Sequence, residues 1–251
     1  MMYKKHLITC SVIVVLFVMS KLFIYSTTLK KTVAKAEPKG DNDVTVADVS
    51  EASNELNFAN EAVPMKDPKV AVKLKHSLKE HSFKKLQTNL LHFRAAKLFK
   101  VIEPILKVYG IPDDFKYIPV VESSLEQGVS PRGAKGLWQF MPGTARTYGL
   151  KVNSSKDERL NLKKSTVAAC IYLRELYDEF HNWTLVAAAY NTGSIKLAKQ
   201  MRVQKKRNYF RMHLNHETGR YIYDLVAVKQ IITKPNDYGY KYTDPDYIAF
   251  N

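Results

Sequence analysis

The sequence predicts a mainly helical fold with little or no β-structure, and three observations carry that expectation. Apolar residues recur at three- and four-residue spacing over residues 90–109 (Leu91, Ala95, Leu98, Ile102, Ile105, Tyr109) and over residues 165–180 (Ala169, Leu173, Leu176, Phe180), the period of a helix that buries one face. No alternating apolar–polar run exceeds a few residues, and there is no internal repeat. The length, 251 residues with 45% hydrophobic content, suits one globular domain with appendages, since domains most often run to roughly 100 to 150 residues.

Taken in order, the chain opens with Lys4 and Lys5, an apolar run from Leu7 to Met19, and a second short run, Leu22 to Tyr25, beyond Lys21. Residues 1–29 therefore read as a signal anchor or a signal peptide. Counted through Lys21 the run approaches the roughly 20 residues that span a bilayer, with the lysine near enough to one end to snorkel. Ala34-Lys35-Ala36 offers a small-residue cleavage pattern, but far beyond the apolar run, so the reading favours an uncleaved anchor. Cys10 sits at the start of that run rather than after it, which argues against a lipoprotein box. Cys170 falls in an apolar helical stretch and reads as a small core residue, so no disulfide is expected.

Residues 30–68 are polar and interrupted by Pro38, Gly40, Pro64 and Pro68, and read as a flexible linker. Residues 69–234 form the expected helical domain. After the helix that ends at Gly110 and Pro112, a short one is expected to open at Pro112, with Asp113 and Asp114 in its first turn, and to carry Phe115, Ile118, Val121 and Glu122. Gly128, Pro131, Gly133 and Gly136 mark a loop. Further helices are expected over residues 137–148, with a break at Pro142, over 183–190, stopping at Asn191 and Gly193, over 194–201 and over 217–232. Residues 235–251 read as an irregular tail.

The formal net charge of +15 suits nucleic acid, anionic lipid or an acidic polymer. The exported start of the chain argues against nucleic acid. Phospholipid head groups, or peptidoglycan with its lactyl and peptide carboxylates, fit better. The run Lys66, Lys69, Lys73, Lys75, Lys79, Lys84, Lys85 reads as a solvated helix face. The seven histidines are scattered, and no metal-ligand cluster, phosphate-cradling loop or serine-histidine-aspartate set is evident, so neither metal nor cofactor is expected.

Chemistry concentrates in residues 119–150, PVVESSLEQGVSPRGAKGLWQFMPGTARTYGL. Glu122 follows an apolar run near the end of a short helix. Apolar neighbours and the negative end of the helix dipole both disfavour its charged form, which would hold it protonated toward neutral pH, the state a general acid needs. A glutamate paired with a lysine would look the same at this level.

This stretch resembles the signature of lytic transglycosylases of the soluble-transglycosylase family, in particular its membrane-bound D-type branch. Three further segments agree in order and separation: Asp157-Glu158-Arg159, Ala187-Ala188-Ala189-Tyr190-Asn191-Thr192-Gly193 and Glu217-Thr218-Gly219-Arg220-Tyr221. The resemblance covers residues 90–232. It implies a lysozyme-like, goose-type helical domain and cleavage of the β-1,4 bond between N-acetylmuramic acid and N-acetylglucosamine without water, leaving 1,6-anhydro ends. Glu122 matches the family's catalytic glutamate, acid first and base second. Ser130, Gln139, Met141, Tyr190 and Asn191 match groove residues that contact sugar, and Tyr221 matches the tyrosine that orients the acid. Packing alone would also explain Met141, a helix cap Asn191, and a core position Trp138. Asp157 and Glu158 are expected to act structurally, through a turn and an ion pair with Arg159.

The resemblance further implies peptidoglycan strands as partner, a membrane contact through the N-terminal segment, and a place in a bacterial cell envelope on the periplasmic side. LysM repeats, which often follow this domain in that branch, do not occur in these residues, so glycan affinity is expected from the groove itself or from other proteins. Two other readings remain open: a goose-type lysozyme-like hydrolase of the same bond, and a non-catalytic, membrane-tethered peptidoglycan-binding scaffold.

Overall fold

The computed structural model describes residues 56–86 and 89–241, all within one unit of the fold, Val44–Asn251. The expected leader, Cys10 and most of the expected linker and tail lie outside the described residues. Among those described, no helix is long and apolar enough to cross a membrane.

The fold is mainly helical, as the periodicity predicts. A two-stranded antiparallel hairpin, β1 (Asn57–Phe58) and β2 (Glu61–Ala62), precedes α1 (Pro68–His81), α2 (Phe83–Leu86) and α3 (Leu90–Val108). A 3-10 turn, Asp113–Tyr117, leads into α4 (Ile118–Ser123). After the loop come α5 (Pro142–Thr147), α6 (Leu162–Phe180), α7 (Trp183–Thr192), α8 (Ser194–Gln204) and α9 (Thr218–Thr233). α9 packs on α1 and α7, and α3 packs on α6. α7 is central: Thr184 through Ala189 are all buried, and Ala187, Ala188 and Ala189 let neighbouring backbones approach closely.

Several stretches differ from the sequence reading. The residues from Leu56 to Val63, expected within a flexible linker, are built into the core: Leu56, Phe58, Ala59 and Val63 are buried. The turn residues Ala59 and Asn60 have φ of 52° and 63°, the left-handed pair that joins two strands tightly. Polar groups make the attachment. The Glu61 carboxylate accepts the backbone N–H groups of Trp183 at 2.5 Å and Thr184 at 2.8 Å, and also the Thr184 hydroxyl, closing the N-terminus of α7. Asp114 accepts from the Ala59 N–H and from Lys229 Nζ, both at 2.7 Å. A linker composition conceals such a role because only four apolar side chains and one carboxylate are needed for it.

The second difference is the helix expected over residues 137–148. Only Pro142–Thr147 is helical. Gly136 at φ 80° and Gln139 at φ 46° turn the preceding chain, and the Lys135 N–H donates to the Phe140 carbonyl at 3.1 Å in place of a helical bond. Pro142 then starts the helix where no N–H is needed. α6 also begins a turn early, since the Asn161 side chain accepts from the Lys164 N–H. The expected irregular tail starts with a 3-10 turn, Pro235–Tyr238, and Tyr240 is buried, its hydroxyl donating to the His81 carbonyl at 2.7 Å. Cys170 is buried and free, as expected of a core residue.

Candidate active site

Glu122 is the penultimate residue of α4, and the chain leaves that helix abruptly. Ser124 and Leu125 are left-handed at φ 51° and 58°, and their N–H groups return to the Val120 and Pro119 carbonyls. The buried Leu125 side chain secures this ending. Ser123 points the other way. Its hydroxyl donates to the Pro119 carbonyl at 2.7 Å and to the Leu137 carbonyl at 3.1 Å, tying the helix to the following loop.

The Glu122 side chain is half-buried at the wall of a cleft of about 370 Å³, lined also by Val121, Asn191, His216, Glu217, Arg220, Tyr221 and Asp224. Tyr221, from the first turns of α9, donates its hydroxyl to Glu122 Oε1 at 2.7 Å. Burial raises the Glu122 carboxyl from its ordinary value to about 7, opposed by the Tyr221 hydrogen bond and reinforced by the negative charge of Glu217. Burial and the charge of Glu122 likewise hold the Tyr221 and Tyr190 hydroxyls well above their usual range, so both stay donors. Among the described residues no lysine pairs with Glu122, the bland explanation for a glutamate at this position.

The other sequence-derived residues divide into two groups. Asn191 shares the cleft: its Nδ2 donates to Glu217 Oε1 at 3.1 Å and its Oδ1 accepts from the Thr218 hydroxyl at 2.9 Å. The helix cap proper is Gly193, so Asn191 links α7 to the start of α9. Tyr190 reaches the loop, donating to the Trp138 carbonyl at 2.7 Å. Ser130, Gln139 and Met141 stand apart from the cleft, on the loop itself. Ser130 Oγ accepts from the Ala134 N–H at 3.0 Å, and Gln139 Nε2 donates to the Gly136 carbonyl at 2.8 Å and the Gly128 carbonyl at 3.3 Å. Both side chains brace the loop. Met141 is 43% exposed, which removes core packing as its explanation. Trp138 is fully buried with its indole N–H on Thr166 Oγ1 at 3.0 Å, the core position.

Asp157, Glu158 and Arg159 support that loop from beneath. Arg159 pairs with Asp157 through two nitrogens at 2.8 and 2.9 Å, and its Nη1 donates to the Gly133 and Phe140 carbonyls at 2.8 and 3.0 Å. Glu158 accepts from the Lys151 N–H and from Lys164 Nζ. Both carboxyls are held below their ordinary values, Asp157 chiefly by Arg159 and Glu158 chiefly by Lys164.

Sequence reasoning expected one carboxylate at the site, Glu122; it quoted Glu217 only as part of the segment Glu217–Tyr221, without a site role, and missed Asp224. Asp224 lies 3.4 Å from Arg220 Nη2. The signal was available: Glu217 at the N-cap of α9 and Arg220, Tyr221 and Asp224 in its first two turns recur at helical spacing. Among the described residues no group of three histidine, cysteine, aspartate or glutamate side chains could hold a metal ion.

Among the described residues, a mainly helical unit thus holds one half-buried, near-neutral glutamic acid in an open polar cleft, the class of site that can give and take a proton near neutral pH. The comparisons narrow the class. Residues 101–212 match the family model described as Transglycosylase SLT domain, in agreement with the resemblance drawn from the motifs. The chain is 31% identical over 147 residues to the membrane-bound lytic murein transglycosylase D of Escherichia coli (strain K12), an alignment covering 56% of this chain and 32% of that protein. The protein of the same name from Escherichia coli O6:H1 aligns with the same identity and coverage. The chain thus spans about a third of the length of these relatives, 32%.

Proposed function

We propose that this chain is a peptidoglycan lytic transglycosylase with a lysozyme-like catalytic domain, and that Glu122 performs both of its proton transfers. The observation that carries the reading is the pairing of a carboxyl raised to about 7 with a tyrosine hydroxyl on one of its oxygens. Tyr221 occupies Oε1, which leaves Oε2 to carry the proton to the glycosidic oxygen between N-acetylmuramic acid and N-acetylglucosamine. The 2-acetamido group of the substrate stabilises the cation at C1. Glu122, now a carboxylate, takes the proton of the muramic C6 hydroxyl, and that oxygen closes on C1 to give the 1,6-anhydro end. Asn191 and Tyr190 line or support the sugar site, and the braced loop presents Ser130, Gln139 and Met141 to more distant sugars. The names of the relatives support an attachment to the membrane and a place in the bacterial envelope.

A second reading, hydrolysis of the same bond, is favoured by one observation: Glu217 and Asp224 line the cleft with Glu122 and are of the type that can direct a water to C1. Digestion of purified sacculi followed by mass analysis of the soluble products separates the two. Anhydro ends are expected, and reducing ends heavier by one water, about 18 mass units, would establish hydrolysis instead. A scaffold without catalysis would release neither.

Tyr221→Phe tests the orienting contact. Its hydrogen bond lowers the Glu122 pKa, so the variant's alkaline limb of kcat/KM should move to higher pH, while kcat falls roughly tenfold or more through loss of a bond to a charged group. Turbidity clearance across pH measures both, and a limb displaced to lower pH would contradict the assignment.

A further inference from the structure

A second cavity, of about 310 Å³, lies between α8 and the segment leading into α9. It shares a wall with the Glu122 cleft: Asn191 and Glu217 face the cleft, their chain neighbours Thr192 and Thr218 face the cavity, and the Asn191–Thr218 hydrogen bond of 2.9 Å lies between the two. The two spaces differ in charge. The cleft has the carboxylates Glu122, Glu217 and Asp224 on its wall, with His216 and with Arg220 against Asp224, whereas the cavity is lined by Lys196, Lys199 and His213 with no carboxylate. Among the described residues neither lysine has an acidic partner. The cavity wall is also built rather than casual. Gln204 holds the His213 backbone by both its N–H and its carbonyl, at 2.8 and 2.7 Å, and Asn215 accepts from the Thr218 N–H at 2.7 Å, which leaves its amide N–H groups to donate.

We infer that this cavity receives the carboxylates of the peptide stem carried by the muramic sugar whose bond lies at Glu122. The inference rests on the reading of the cleft as a glycan site and adds a stem-recognition site to it. A stem attached to a sugar in the cleft is repelled by Glu217 and finds, beyond the Asn191–Thr218 hydrogen bond, two unpaired ammonium groups and the Asn215 amide. A strand stripped of its peptides keeps only the lactyl carboxylate, held close to the muramic ring in the cleft, so the cavity makes the chain prefer strands that still bear their peptides.

Binding measured without turnover tests this independently of the reaction. The full 251-residue chain carrying Glu122→Gln is titrated with a soluble disaccharide bearing its tetrapeptide stem and with the same disaccharide stripped of it. The stem-bearing ligand should bind more tightly, and adding Lys196→Gln and Lys199→Gln should weaken it roughly fivefold, in a salt-sensitive manner, with the stripped ligand unaffected. Equal binding of the two ligands, binding of neither, or equal weakening of both by the lysine changes would overturn the stem site. If the unaltered chain released no anhydro ends from sacculi while the stem preference persisted, the catalytic reading would fall and the stem site would stand.

Discussion

Replacing Glu122 by glutamine is expected to remove nearly all clearance of sacculi while leaving the fold intact, because a positioned general acid is typically worth about 10²-fold to 10⁴-fold. Glutamine keeps the shape of the side chain and still accepts the Tyr221 hydroxyl, but it has no proton to give. The same substitution carries a stability signature. The folded chain holds the Glu122 proton up to about pH 7, whereas the unfolded chain releases it near its ordinary value of 4.5. A carboxyl raised on folding contributes stability that is full below the unfolded value and is lost as pH rises through the folded one. Between those values the unaltered chain should lose up to about 3 kcal/mol relative to Glu122→Gln, so the variant should be the more stable protein at pH 8 and no more stable at pH 4. Thermal melts of both across that window measure the difference. Parallel curves would show that the carboxyl is not desolvated, and retained clearance would end the catalytic assignment.

The Gly136→Ala exchange should destabilise the chain by about 3 to 5 kcal/mol, because two penalties coincide there. The residue is at φ 80°, and a Cβ would lie 2.2 Å from the Arg159 carbonyl oxygen and 2.9 Å from its carbon. Neither partner can give way easily, since Arg159 is tied to Asp157, Gly133 and Phe140. Gly133→Ala supplies the control: at φ 85° it has the same backbone problem with nothing within 4 Å of the added carbon, so it should cost only about 1 kcal/mol. The melting temperature of Gly136→Ala should fall by roughly 10 °C, and that of Gly133→Ala by a few degrees. Equal losses would mean that the contact with Arg159 carries no weight. Activity should fall with Gly136→Ala beyond what stability explains, as the loop bearing Ser130 and Gln139 hangs from the Gly136 carbonyl and from Ser123.

The helices were legible wherever one face is continuously apolar over several turns, as in α3 and α6, and illegible where the backbone is set by turns. Residues 137–141 have the composition of a helix, yet Gly136 and Gln139 take left-handed conformations that fold them against the loop. Leu56 to Val63 have the composition of a linker, yet a handful of contacts build them into the core. Of the candidate site, the acid and its apolar surroundings could be read from neighbouring residues, while its tyrosine partner was implied only by the family resemblance. The carboxylates of α9 could have been read from helical spacing, but nothing in one dimension showed that Glu217 reaches the field of Glu122 from 95 residues away in sequence.

By itself the sequence determined a helical domain, a strongly basic chain and a glutamate whose local surroundings disfavour its charge, because periodicity, composition and near neighbours are properties of adjacent residues. Only the tertiary structure decided that Tyr221 rather than a lysine meets Glu122, that Asn191 joins two helices rather than capping one, and that Gln139 braces a loop. It also separated an acidic cleft from a basic cavity. Each of those outcomes depends on groups far apart in the chain, and a hydrogen bond or a desolvation penalty exists only once folding has brought them within a few ångströms of each other.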